Sequence, residues 1–208
     1  MKREEKNQQT RRKILDSALA EFSKQGYVAG SINTICAAQG VSKGIVYHYF
    51  ETKDALFLAC VGECFQRLTE YIRENVAAEQ GSVEKQLEHY FAVRTAFFRT
   101  MPVYRRIFCE AVIMPPEHLR ADIEAHKRDF DALNIQILLH LLAQVSLRPE
   151  LSREEAIETF RQFQDFINVR YQMADMNGQA FESREENCRR ALNILLYGVI
   201  EREGGKNV

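Results

Sequence analysis

The sequence predicts an all-α protein of about nine helices. Three observations carry that prediction. Apolar residues recur at i, i+3, i+4 along most of the chain, the spacing of one helical face. The 208 residues include four prolines and no tryptophan, and β-branched runs are few. Two S-x-x-E boxes, Ser152–Glu155 and Ser183–Glu186, have the form that caps a helix N-terminus reciprocally.

In chain order, Ile14, Leu15, Ala18, Leu19 and Phe22 follow helical spacing in a first helix that ends at Gly26. Ser31 opens a second, short helix with Ile32, Ile35 and Cys36 on one face. Gly40 can take the left-handed conformation that lets a chain leave a helix sharply. Ser42 then caps a third helix, on which Val46 and Phe50 repeat the i, i+4 step. Thr52 caps a fourth, from Asp54 to about Ala78. Gly81-Ser82 stops the chain, and Val83, Leu87, Tyr90, Phe91, Arg94 and Phe98 define the fifth. Pro102 sits at the start of the sixth, where its missing N–H costs nothing; Tyr104, Ile107, Phe108 and Ala111 form its inner face. After Pro115-Pro116 a long helix runs from Glu117 to about Val145. The capping boxes place the last two helices from Arg153, ending before Asn177-Gly178, and from Arg184 to about residue 202.

The net charge of −1 conceals an asymmetry. Residues 1–53 hold nine Lys/Arg against five Asp/Glu, an excess of four positive charges, so the remainder carries −5. A basic head on an acidic body suits a molecule that turns one end towards phosphate. No run of 18 apolar residues is present to span a membrane, and the charged start MKREEKNQQTRRK lacks the apolar segment of a signal peptide, so a cytoplasmic protein is expected. The five cysteines form no C-x-x-C, and the five histidines form no tight cluster. No cofactor or metal is therefore expected. Cys60 and Cys64, one helical turn apart, leave open a thiol-redox or soft-metal sensor. No nucleophile, base and acid are grouped as an active site would require, so an enzyme is not expected.

Residues Ser31–Phe50 form a helix, a tight turn and a second helix whose tip, Ser42-Lys43-Gly44-Ile45, bears no acid. Such a unit sets the start of its second helix against base edges in the major groove. Lys43 can donate to guanine or phosphate, Gly44 allows close approach, and Ile45 matches a thymine methyl. Over Thr10–Cys60 the pattern Arg12, Ile14, Ala18, Phe22, Gly26, Ser31-Ile32, Ile35, Ala38, Gly40-Val41-Ser42-Lys43-Gly44, Tyr47, Tyr49-Phe50, Lys53, Leu56 resembles the DNA-binding domain of the TetR (tetracycline-repressor-like) family. Ile45 departs from the small polar residue common there.

The resemblance implies a three-helix, homeodomain-like helix-turn-helix domain over residues 1–53 and a helical effector-binding and dimerisation domain over 54–208. It further implies that Ser31, Tyr47, His48 and Lys53 grip the phosphate backbone. A homodimer would close through the last two helices, with Phe160, Phe163, Leu192 and Leu196 at the seam. A largely apolar effector would be enclosed by Tyr90, Phe97, Phe98 and Met101, and by Tyr104, Phe108 and Met114, with Arg94 orienting a polar group. An ordinary core would be built of the same residues, and the pattern does not separate the two. The expected function is that of a one-component regulator, a repressor, that holds a pseudopalindromic operator in double-stranded DNA and releases it when a small molecule binds. An architectural DNA-binding protein using the same head is the alternative.

Overall fold

The computed structural model describes residues 2–76, 81–175, 190–191 and 194–198. These contain eight bounded α-helices: α1 (Lys2–Ala29), α2 (Ile32–Gln39), α3 (Lys43–Tyr49), α4 (Lys53–Asn75), α5 (Val83–Thr100), α6 (Val103–Ile113), α7 (Arg120–Leu142) and α8 (Arg153–Asp175). A 3-10 turn, Glu117–Leu119, leads into α7, and residues 190–191 and 194–198 are also helical. No β-strand occurs among the described residues. The Ser183 capping box lies outside them.

Among the described residues the expected elements are present, with three differences at their ends besides the close of α7 at Leu142, short of the expected Val145; the last helix, expected from Arg184, is described only at 190–191 and 194–198. α7 opens through the 3-10 turn because Pro116, held at φ −53 and ψ 128, cannot itself continue a helix backwards. α4 closes at Asn75, where Asn75 Nδ2 donates to the Tyr71 carbonyl. The third difference is in α1, which does not end at Gly26. It breaks there, at φ 76 and ψ 178, and makes one more turn to Ala29. The Ser152 box forms as expected: Glu155 N–H donates to Ser152 Oγ at 3.1 Å, and Ser152 N–H donates to the Glu155 carboxylate at 2.9 Å.

The chain divides into two compact units. The first comprises residues 1–68 and 97–129. Its core joins Ile14, Ala18 and Phe22 of α1 to Ile35, Val46, Leu56, Phe57, Phe65, Ile107 and Phe108, all essentially buried. α1 packs against both α2 and α6. The second unit comprises residues 69–96 and 130–208. Its described core includes Ile72, Leu87, Tyr90, Phe130, Leu138, Leu142, Ala156, Phe160 and Leu196.

Candidate nucleic-acid interface

The interface is built on two short helices that could not persist alone, since helices of seven or eight residues are unstable in water. Buried anchors and caps hold them. On α2, Ile32, Ile35 and Cys36 face the core, and Ser31 Oγ accepts the Thr34 N–H at 3.3 Å. Gly40 ends α2 in the left-handed conformation, φ 62 and ψ 32, and the Val41 N–H returns to the Cys36 carbonyl at 3.1 Å. A Cβ at Gly40 would meet nothing within 4 Å, so the backbone angle is what calls for glycine there. Ser42 Oγ accepts the Ile45 N–H and starts α3. Val46 and Phe50 are buried and pin α3 down.

This anchoring leaves the opposite side of α3 in solvent. Ser42, Lys43, Gly44, Ile45, Tyr47 and His48 are all exposed, and Ile45 and Tyr47 are each 41% exposed despite their apolar bodies. A Cβ at Gly44 would meet only Ser42 Oγ, at 3.8 Å, so the tip presents bare backbone outward. The Tyr47 ring is therefore available to a partner rather than spent in the core.

Ser31 and Lys53 are more constrained. The Ser31 N–H donates to Glu21 Oε1 at 2.9 Å, which leaves its hydroxyl as the remaining donor. Lys53 Nζ donates to the Val28 carbonyl at 3.0 Å and lies 5.1 Å from the centre of the Tyr27 ring. An ammonium has three N–H bonds, so two remain. Thr52 Oγ1 accepts the Ala55 N–H at 3.0 Å and caps α4 beside it.

Three polar groupings escape the sequence reading. At the Gly26 break, the Lys24 carbonyl accepts from Arg106 Nη1 at 2.6 Å, and the Tyr27 N–H donates to Glu110 Oε2 at 2.7 Å. Arg106 and Glu110, themselves paired at 3.3 Å, thus replace hydrogen bonds that the interrupted helix cannot make. The Tyr27 hydroxyl donates to Asp54 Oδ1 at 2.6 Å and lies 3.2 Å from His118 Nε2. Burial, then that bond, push the Tyr27 phenol up to about 12. The third grouping is at Glu63, which accepts from Arg12 and from the Tyr104 hydroxyl. Burial alone would raise the Glu63 carboxyl, but the bonds from Arg12 and Tyr104 prevail and hold it below its usual range. Only the i, i+4 spacing of Arg106 and Glu110 was visible in sequence. Their partners lie more than eighty residues away.

The residues grouped as a possible effector enclosure fall into both units. Tyr90 and Arg94 belong to the second and are buried there. Arg94 Nη1 donates to the Tyr90 hydroxyl at 3.1 Å, that hydroxyl donates to Asn134, and the guanidinium lies 5.1 Å from the Phe130 ring centre. Phe97, Phe98, Tyr104 and Phe108 belong to the first and pack on one another, with Phe97 stacked on Tyr104 at 5.8 Å and Phe98 tilted on Phe108 at 5.0 Å. Met101 is half-buried and Met114 is 77% exposed. Of the seam residues, Phe160 and Leu196 are buried within the single chain, and Phe163 is half-buried against Phe91. Leu192 lies outside the described residues.

Cys60 and Cys64 are buried, and burial raises both thiols well above the usual range. Oxidation needs an accessible thiolate, so the burial of both thiols disfavours the sensor reading. No group of three or more His, Cys, Asp or Glu among the described residues is placed to hold a metal. No described helix is long and apolar enough to cross a membrane.

Residues 14–60 match the family of bacterial regulatory proteins called the tetR family. The HTH-type transcriptional repressor AcnR of Corynebacterium glutamicum is 32% identical over 102 residues, which is 46% of this chain and 54% of that protein. The HTH-type transcriptional regulator UidR of Escherichia coli is 35% identical over 69 residues, 33% of this chain and 35% of that one. The chain thus spans about half or less of the length of these curated relatives. The likeness to solved structures runs much further. The regulator FadR from Bacillus subtilis, in complex with stearoyl-CoA, aligns with TM-score 0.72 over 89% of this chain and 97% of its own, at 17% identity. The fatty acid degradation regulator FadR from Bacillus halodurans aligns with TM-score 0.70 over 94% and 98%, at 18% identity. At such identity the likeness is one of fold.

Proposed function

We propose that this chain, whose residues 14–60 match the tetR family of bacterial regulatory proteins, is a homodimeric transcriptional repressor that leaves its operator when a small molecule binds. The observation that carries the reading is α3. Val46 and Phe50 fix it to the core, and its whole polar tip stands in solvent. Ser42, Lys43, Gly44 and Ile45 face base edges, and Ser31, Tyr47, His48 and Lys53 face phosphates on either side. The DNA-binding domain runs to Lys53, and the rest serves effector binding and dimerisation. The AcnR relative, named a repressor, supports the direction of regulation.

The effector of this reading has a largely apolar body and a polar or anionic group that meets Arg94. The Arg94 guanidinium lies against the Tyr90 and Phe130 rings, 5.8 and 5.1 Å from their centres. The stearoyl-CoA bound to the Bacillus subtilis structure is one ligand of that general kind in the same fold. The dimer closes through α8 and the helical residues 190–191 and 194–198, where Phe166, Ile194 and Tyr197 are exposed while Phe160 and Leu196 are buried.

The deciding experiment selects duplexes from a random library with the purified protein and footprints the winners. The expected result is a pseudopalindrome whose half-sites lie about one helical turn apart, ~34–36 Å. Selection of no sequence over background would overturn the reading. Denaturing the purified protein and weighing any released small molecule by mass spectrometry then identifies the effector.

A further inference from the structure

We infer that the first three turns of α1 form a DNA-backbone arm, which supplies most of the head's sequence-independent attraction to duplex DNA. The inference rests on the DNA-binding reading above and says where its electrostatic part resides.

The charge distribution within the head is the first observation. Residues 14–53 contain Asp16, Glu21 and Glu51 against Lys24, Lys43 and Lys53, and so are neutral overall. Residues 1–13 contain Lys2, Arg3, Lys6, Arg11, Arg12 and Lys13 against Glu4 and Glu5, and hold the whole excess of four. Residues 14–53 as a whole therefore bring no net charge to a polyanion that carries one negative charge per ~1.7 Å, and the helix-turn-helix within them brings only that of Lys43.

The second observation is shape. α1 begins at Lys2, twelve residues before its first buried residue, Ile14. Residues 4–9 are all exposed. Eight residues, 2–9, rise ~12 Å along the helix beyond the packed part of the head. Exposed charged turns like these gain nothing for the core. Glu4 and Glu5 lie in the first turn, where a carboxylate favours the positive end of the helix, so they maintain the arm as a helix. Thr10 Oγ1 donates to the Lys6 carbonyl at 2.9 Å further along it. Lys6 and Lys13, seven residues apart, share one side of the helix.

The third observation is where the arm is rooted. The Arg11 guanidinium lies 4.9 Å from the centre of the Phe50 ring, and Phe50 is the residue that ends α3. With α3 in the major groove, the arm leaves the head beside the end of the recognition helix and reaches the backbone flanking the half-site. Arg12 takes no part, because Asp16 and Glu63 hold it.

The test is the salt dependence of binding to a random-sequence duplex of about 30 base pairs, followed by fluorescence anisotropy in KCl. The variants are K2Q/R3Q/K6Q and a deletion of residues 2–9, with melting by circular dichroism showing that each keeps its fold. The log–log slope of affinity against salt should become shallower by ~0.9 for each phosphate that is no longer neutralised, up to about 2.7 per head. The deletion also removes Glu4 and Glu5, so a shallower slope in both variants shows that the individual cations matter and not net charge alone. Base preference on a selected operator should not change. If the wild-type protein binds and both variants keep its slope, the arm is overturned and the DNA-binding reading survives. If the wild-type protein binds no duplex at any salt, both fall.

Discussion

Lys43 occupies the place where chemistry and position coincide most closely. It is the first residue of α3, exposed beside the bare backbone of Gly44, and its ammonium gives the helix tip its positive charge. Lys43→Ala should weaken operator binding by about 1–3 kcal/mol and relax preference at one base pair if it reaches a base edge. Titration of the selected operator and of single-base variants measures both. A uniform loss across all sequences would reassign Lys43 to the backbone. Glu63 makes a different kind of prediction. Its folded carboxyl lies below the usual range, so the stability it contributes is present above the unfolded carboxylate pKa and is lost as pH falls through the folded one. Glu63→Gln should therefore cost stability at neutral pH and cost little in acid. Urea midpoints at pH 7 and pH 3 measure the difference, and an equal loss at both would refute it. The sequence shows Lys43 plainly, because a cation after a capping serine has a local meaning. It hides Glu63, whose partners Arg12 and Tyr104 lie 51 and 41 residues away.

The helices themselves were legible wherever apolar spacing met a cap, as at Ser31, Ser42 and Ser152. The break in α1 was not. A glycine after an apolar run reads equally as a stop or a bend, and Arg106 and Glu110 of α6 decide the matter. The two left-handed glycines consequently differ. Gly40 has open space, so Gly40→Ala meets only the backbone penalty of ~1–2 kcal/mol. At Gly26 a Cβ would also clash with the Glu110 carboxylate and lie 2.9 Å from Arg106. Gly26→Ala must displace that pair and strand the Tyr27 N–H, adding about 1–3 kcal/mol. Urea melts of the two variants should show Gly26→Ala as the costlier, and equal losses would mean that the pair contributes nothing there. The pocket-or-core question stayed open in sequence for a related reason. Aromatic residues at helical spacing look alike whether they line a cavity or pack on each other, as Phe97 and Tyr104 do.

For the whole molecule, the all-α class and the placement of the helix-turn-helix follow from patterns that act locally. The seam between subunits does not, since a stripe of apolar residues is shared between a chain's own core and a partner. Phe160 and Leu196 are buried in one chain, while Phe166 and Ile194 are 56% and 76% exposed in the region proposed for the seam. Ile194→Asp should bury an unpaired charge in that seam and split the dimer, with little harm to the separate chain. Sedimentation velocity at micromolar concentration should show the mass halved and operator binding lost. A dimer of wild-type stability would move the seam elsewhere. The effector is bound by a thermodynamic constraint. It can release DNA only by the factor by which it prefers the free dimer, so calorimetry with and without operator must return that factor from both sides.

The pair Arg106–Glu110 also bears on how such proteins can be recombined. The last turn of α1 leads directly into Ser31 and α2, yet two of its backbone groups depend on a helix that follows more than seventy residues later in the chain. Grafting residues 1–53 onto an unrelated sensor would carry over every residue proposed to face DNA and leave the Lys24 carbonyl and Tyr27 N–H without their partners. A chimera that also brings Arg106 and Glu110, with the geometry to present them, keeps the bend. The segment proposed to read DNA is thus shorter than the smallest piece that can be moved intact.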